Sequence, residues 1–206
     1  MKVAIVGGRG YCSYTRMFQG MGWEVVDKLS DADLIQFTGG EDVSPELYGA
    51  KKHPTTGNNP TRDAFEKHIF DQCVERQLPM AGICRGGQFL NVMNGGSMWQ
   101  DVDGHAIYGT HSCIDQDTGL IIEVTSTHHQ MMRPSEEAHI IALASESTFK
   151  ENVVKLHGYF DDDVEAVYYK GTNSLCFQPH PEMVAKGHEC QEYYFELIHR
   201  CLGLSA

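Results

Sequence analysis

Nearly continuous apolar runs that end in glycine-rich turns recur along this chain, and each has the pattern of a strand covered on both faces. Lys2–Val6 leads into Gly7-Gly8-Arg9-Gly10, Trp23–Val26 forms a second run, Ala32–Phe37 ends at Thr38-Gly39-Gly40, and Leu78–Ile83 ends at Cys84. Between them the apolar positions change to helical spacing. Helices are predicted through Tyr14–Gly20, and over Arg62–Arg76 with Thr61 as cap and Phe65, Ile69, Cys73 and Val74 on the inner face. A third runs from Arg85 through Phe89, Leu90, Val92 and Met93 to a stop at Asn94-Gly95-Gly96. The last covers Glu189–Cys201, with Tyr193, Tyr194, Leu197, Ile198 and Cys201 as its buried stripe. This alternation predicts an α/β fold with a mostly parallel central sheet flanked by helices.

Beyond Trp99 the pattern shifts to short strands and turns. Leu120–Val124, Ile140–Ala144, Val164–Tyr169 and Leu175–Gln178 read as strands, some of them antiparallel additions to the sheet. Asp161-Asp162-Asp163 reads as a solvated turn, and His105, His111, Cys113, His128 and His129 as members of polar surface loops. A zinc site is the alternative for this cluster, but the spacing matches no familiar ligand pattern, so no metal site and no cofactor is assigned. His68 is placed on the surface or rim of its helix. The long Gly-, Pro-, Asn- and Asp-rich segment Glu41–Pro60 is a candidate loop over a site.

The 206 residues suffice for one substantial core, no Pro/Ser-rich linker divides them, and one domain over 1–206 is expected. A formal net charge of −12 with scattered lysines and arginines argues against nucleic-acid or anionic-membrane partners. There is neither a signal-peptide pattern at Met1–Gly8 nor an apolar run of membrane-span length, and a cytoplasmic protein is expected. Seven cysteines without a C-x-x-C pair suit reduced thiols in that compartment. The glycines after Val6 do not meet the G-x-G-x-x-G spacing, and no phosphate-binding lysine follows, so they read as a turn.

The chemistry centres on Gly82-Ile83-Cys84-Arg85-Gly86-Gly87-Gln88. A side chain at the apex of a sharp strand-to-helix turn leaves no room for Cβ atoms two residues away on either side, and Gly82 and Gly86 meet that demand. The helix that Arg85 begins would place unpaired N–H groups beside the sulfur and favour its thiolate. An oxyanion formed on attack would lie near the Arg85 N–H, and Gly39 or Gly40, at another strand end, could offer a second donor. Taken alone, the turn fits a buried structural cysteine equally well. A nucleophilic thiol also needs a base and a group that orients it, and His180 and Glu182, in the stiff turn Pro179-His180-Pro181-Glu182 after the last strand, have that chemistry. Gln88, one turn beyond Cys84, could reach the same pocket.

Gly82–Gln88, His128-His129-Gln130 and His180-Pro181-Glu182, in this order, resemble the class I glutamine amidotransferase superfamily. Gly39–Gly49, Arg62-Asp63-Ala64-Phe65-Glu66, and Asn91–Gly96 with Gln100-Asp101 resemble its γ-glutamyl hydrolase branch, which includes the γ-glutamyl-γ-aminobutyrate hydrolases (peptidase C26). The resemblance implies a flavodoxin-like fold and a Cys84–His180–Glu182 triad that forms a glutamyl thioester and hydrolyses it. It implies oxyanion donors at Gly40 and Arg85, and a substrate pocket lined by Gln88, His129 and Gln130. It further implies a small γ-glutamyl substrate, with either a self-sufficient hydrolase or an ammonia-donating subunit of a separate synthetase. A catalytically silent binding module on the same scaffold is the alternative of another class. Pro179, where the family commonly has an aromatic residue, and Asp162, where it commonly has glycine, are departures that bear on the pocket wall.

Overall fold

A computed structural model of the chain describes residues 1–7, 11–146 and 162–205. The predicted turn residues Gly8-Arg9-Gly10 and the first residue of the acidic triplet, Asp161, lie outside them. The first half alternates strand and helix: β1 (Lys2–Val6), α1 (Tyr11–Gly20), β2 (Glu24–Val26), β3 (Leu34–Phe37), α2 (Pro60–Arg76), β4 (Met80–Ile83) and α3 (Arg85–Met93). Strands then predominate: β5 (Ser97–Trp99), β6 (Gly109–Asp115), β7 (Ile121–Ser126), β8 (Met131–Arg133), β9 (His139–Ala144), β10 (Val164–Tyr169) and β11 (Ser174–Phe177), closed by α4 (Glu189–Leu202).

Among the described residues a nine-stranded sheet has the order β2-β1-β3-β4-β11-β10-β9-β6-β7, and β5 and β8 form a separate pair. From β2 to β11 every pairing is parallel; from β11 outward every pairing is antiparallel. The parallel half carries apolar residues on both faces. On one, Leu34, Ile83, Leu175 and Phe177 share a core with Phe18 of α1 and Tyr194 and Leu197 of α4. On the other, Ile35, Phe37 and Cys176 pack with Ile69 and Cys73 of α2 and Phe89 and Leu90 of α3. This double covering is why β3, β4 and β11 are apolar without alternation, and each large side chain so buried contributes about 1.5–3 kcal/mol.

The register of three strands decides where the loops meet. Gly82 of β4 lies opposite Phe37 of β3 on one side, and Ile83 lies opposite Phe177 of β11 on the other. The chain therefore leaves β3, β4 and β11 side by side at their carboxyl ends, delivering Thr38-Gly39-Gly40, Cys84 and the turn that carries His180 to one edge.

Two helix details differ from the sequence reading. Asn59, not Thr61, caps α2: its side-chain oxygen accepts the Arg62 N–H at 3.2 Å, with Pro60 in the first helical position. Phe65 and Val74 are exposed, and the inner face instead carries Asp63, Glu66, Ile69, Phe70 and Cys73. The helix turns its carboxylates inward because it packs over α3, where Arg85 is buried and needs anions. In α4 the stripe ends on Leu202, whereas Cys201 is only half-buried. No helix among the described residues is long and apolar enough to cross a membrane.

Candidate active site

Cys84 sits between β4 and α3 with φ 50° and ψ −115°, a backbone conformation that side-chain-bearing residues rarely adopt. Its N–H donates to the Phe177 carbonyl at 2.7 Å, and its carbonyl accepts the Gln88 N–H at 2.9 Å. A Cβ on Gly82 would lie 2.3 Å from the Gly86 carbonyl carbon, and one on Gly86 would lie 2.4 Å from the Phe37 oxygen. The two backbone hydrogen bonds, with room left by the bare Gly82 and Gly86, hold a conformation that would by itself cost about 1–3 kcal/mol.

Arg85, the first residue of α3, keeps its side chain in the interior. It is buried over the Phe89 ring, with its guanidinium carbon 5.0 Å from the centroid, and ion-paired to Asp63 and Glu66. Burial pushes its pKa down to about 10, the nearby Arg62 charge adds to that, and Asp63 opposes it.

On the neighbouring strand end, His180 Nδ1 lies 2.7 Å from Glu182 Oε1, and the His180 N–H donates to Thr125 Oγ1 at 2.6 Å. Burial works against a charged His180 ring, yet the negative charge that Cys84 carries when ionised, its hydrogen bond to the ring, and Glu182 together raise the imidazole well above its ordinary value. The Tyr14 hydroxyl contacts Glu182 and accepts the Gly39 N–H at 2.9 Å. Burial first, and the Glu182 charge second, hold this phenol in its neutral form. A Cβ on Gly39 would fall 3.2 Å from His180 Cε1 and 3.7 Å from the Cys84 Cβ, which shows how tightly the three strand ends converge.

Arg62 fixes the third strand end. Its guanidinium donates to the carbonyls of Thr38 at 2.8 Å and Gly39 at 3.1 Å, while Nε donates to Glu66 at 2.7 Å. Since the Gly39 N–H is engaged by Tyr14, Gly40 is the member of this pair that faces the cavity. Tyr14, Thr125 and Arg62 are site residues that the sequence reading did not assign. Arg62 stood within a quoted motif, whereas Tyr14 and Thr125 had no local signal.

Cys84 opens into a cavity of about 320 Å³ lined also by Gly40, Arg85, Gln88, His129 and Gln130. Glu41, Asp42, Thr55 and Gly57 border it, so the segment read as a loop over a site does flank one. Gln88 lies against the wall, its Nε2 donating to the Gln130 carbonyl at 3.3 Å and to Gln178 Oε1 at 3.2 Å. His129 lies between Asp42, 3.3 Å away, and Asp101, 3.5 Å away, and its pKa is raised, chiefly by the Asp42 hydrogen bond. The site thus joins a sulfur, an imidazole, carboxylates and backbone N–H groups, the parts required for acyl transfer to a thiol.

Two surface readings are corrected. His105 and His128 are buried, His111 is half-buried, and Asp163 of the acidic triplet is buried, with Oδ2 accepting from His105 Nε2 at 2.9 Å. The segments fold inward because β6, β7 and β10 bring the histidines to carboxylates that would otherwise be stranded in the interior.

Residues 19–182 match the Peptidase C26 family, a span that includes Cys84, His180 and Glu182. The chain belongs to that family. It is 32% identical over 221 aligned residues to the glutamine amidotransferase-like protein YvdE of Lactococcus lactis, covering 90% of this chain and 88% of the relative. It is 25% identical to the carbamoyl phosphate synthase small chain of Helicobacter pylori over 54% of this chain, a match that spans only 26% of that relative. The PurLQS structure from Thermotoga maritima shares its fold, with a TM-score of 0.69 at 20% identity over 98% of each chain. The helix-flanked sheet, parallel from β2 to β11, is thus the class I glutamine amidotransferase fold that the sequence motifs implied.

Proposed function

We propose that this member of the Peptidase C26 family hydrolyses γ-glutamyl amide bonds through a thioester on Cys84. The observation that carries this reading is the strand-end cysteine at φ 50°, adjoining a histidine whose Nδ1 lies 2.7 Å from Glu182. The Cys84 sulfur attacks the γ-carbonyl and forms a C–S bond. His180 gives a proton to the departing nitrogen as the C–N bond breaks, and Glu182 holds the ring in the required tautomer. Water then adds to the thioester while His180 takes its proton, releasing the γ-carboxylate and the thiol. Backbone N–H groups of Gly40 and Arg85 serve the oxyanion. Gln88, His129 and Gln130 shape the pocket, and the Glu41 and Asp42 carboxylates at its border suit the α-ammonium of a glutamyl group.

The test is mass spectrometry of wild-type and Cys84→Ser protein against a panel of γ-glutamyl amines and glutamine, recording cleavage, free ammonia and the acyl-enzyme. Cleavage by wild type alone, with a glutamyl adduct on Cys84, is expected. Iodoacetamide should modify Cys84 with a pH profile that changes in His180→Ala. Absence of cleavage, together with an ordinary thiol profile indifferent to His180→Ala, would leave the silent binding module as the surviving reading.

The match to a carbamoyl phosphate synthase small chain favours a second reading, in which the same chemistry supplies ammonia to a separate synthetase. Efficient turnover of small γ-glutamyl amines by the chain on its own would exclude that dependence. Feeble glutaminase activity that rises on adding a synthetase would favour it.

A further inference from the structure

At the cavity wall and behind it, three histidine rings gather around a carboxylate that the proposed hydrolysis does not use. Glu165, on β10, is fully buried, and among the described residues neither of its oxygens accepts a hydrogen bond of acceptable geometry. Its Oε1 lies 3.3 Å from His111 Nε2, 3.5 Å from His105 Nδ1 and 3.9 Å from His128 Nε2. One ligand atom each from His105, His111 and Glu165 fall within 4.8 Å of one another. The rings pack closely, with centroids 4.9 Å apart for His105 and His111 and 4.6 Å apart for His105 and His128.

We propose that His105, His111, His128 and Glu165 form a binding site for a zinc-like divalent transition-metal ion. With bonds of about 2.0–2.1 Å to a tetrahedral ion, neighbouring ligand atoms stand roughly 3.3–3.4 Å apart, which is the spacing that His111 and His105 keep from Oε1. His128 Nε2, 3.9 Å from Oε1, stands outside that three-residue group and would have to swing inward to become the fourth ligand.

In His105 and His128 the remaining ring nitrogen is already committed in the manner that metal-bound histidines require. His105 Nε2 donates to Asp163 Oδ2 at 2.9 Å, which leaves a lone pair on Nδ1. His128 Nδ1 donates to the Gln130 carbonyl at 2.9 Å, which leaves one on Nε2. Ser126 Oγ lies 3.3 Å from His105 Nδ1 but gives its proton to the His105 carbonyl at 2.7 Å, so it does not compete for that lone pair. Three neutral imidazoles and a carboxylate suit zinc among the common cations, since calcium and magnesium call for oxygen ligands. An ion of charge +2 would balance Glu165 together with Asp163 behind His105. His111, the half-buried member, gives the entry path.

The ligands come from the segment before β6, β6 itself, the segment after β7, and β10. An ion there would fasten the His128–Gln130 wall of the cavity to the sheet.

The experiment uses the full chain after chelator treatment and dialysis. Zinc is titrated by calorimetry with melting followed in parallel, and Co²⁺ is added as a spectroscopic probe. Expected are one ion per chain, a higher melting temperature, and Co²⁺ bands of a tetrahedral nitrogen–oxygen site without thiolate charge transfer. All should persist in Cys84→Ser. Affinity should fall at least 10-fold in both His111→Ala and Glu165→Gln, with folding of each variant checked by circular dichroism. Glu165→Gln keeps the side chain's shape, and without an ion it would relieve a buried charge. A melting temperature raised by Glu165→Gln, combined with no zinc effect on wild type, would overturn the proposal. Zinc binding lost in Cys84→Ser but kept in His111→Ala would overturn it as well.

Discussion

The Tyr14 hydroxyl and the His180 imidazole both interact with Glu182, so one carboxylate serves a phenol as well as an imidazole. The same hydroxyl accepts the Gly39 N–H at 2.9 Å, which joins α1, the end of β3 and the turn after β11. Hydrogen bonds to charged groups are worth about 1.5–3 kcal/mol, and Tyr14 does not line the cavity. Tyr14→Phe is expected to lower kcat roughly 10-fold with little change in KM. It also leaves the Glu182 charge less dispersed, so the His180 pKa should rise and carry the alkaline limb of the pH profile upward. A drop in activity with that limb unmoved would reduce Tyr14 to a packing residue.

The His180 pKa lies well above its ordinary value in the folded chain. A histidine raised in this way contributes stability that is fully present below its unfolded pKa of about 6.5. That contribution is lost as pH rises through the folded value. The imidazolium needed as general acid should accordingly persist above neutrality, and the acylation rate should decline on the alkaline side. Glu182→Gln removes one of the groups that hold the proton, so the limb should move toward lower pH and the rate should fall about 10²–10⁴-fold. The pH dependence of single-turnover rates measures both effects. A limb left in place by Glu182→Gln would argue against His180 as the titrating acid.

Gly39 packs against both His180 and Cys84, and its backbone has no need of glycine's conformational freedom. A methyl group there must push the imidazole, whose Cε1 would be 3.2 Å away. Displacing a reacting group by a fraction of an ångström to an ångström costs up to about 10²-fold. Gly39→Ala should therefore melt close to wild type yet turn over 10- to 100-fold more slowly. Equal activity would mean that His180 has more freedom than the packing implies.

Much of the parallel half was legible because strands buried on both faces announce themselves as apolar runs, and in the antiparallel half β10 coincides with its predicted Val164–Tyr169. The elbow was legible because Gly82 and Gly86 are sterically obligatory there. Long-range pairing left no such trace. Nothing local to Tyr14 or Thr125 indicates that they reach Glu182 and the His180 N–H. In α2, apolarity favoured Phe65 and Val74 for the inner face, whereas partner charges decided it for Asp63 and Glu66. Polar residues also misled between Trp99 and Val164, where histidines and carboxylates that look solvent-facing singly are buried against one another.

Glu66 lies fully buried between two guanidiniums, accepting from Arg62 Nε at 2.7 Å on one oxygen and pairing with Arg85 through the other. Arg62 in turn secures the Thr38 and Gly39 carbonyls, so the carboxylate supports the strand end beside Cys84 as well as the start of α3. Removing one partner of a buried ion pair strands the other charge and costs about 3–5 kcal/mol. Glu66→Ala should lower stability by about that amount in denaturant unfolding at neutral pH. Glu66→Gln keeps the shape and one acceptor oxygen and should cost less. Because Arg85 retains Asp63, its charge stays partly compensated, and adding Asp63→Ala should destabilise by more than the sum of the single changes. Simple additivity would mean that the two carboxylates act on Arg85 independently.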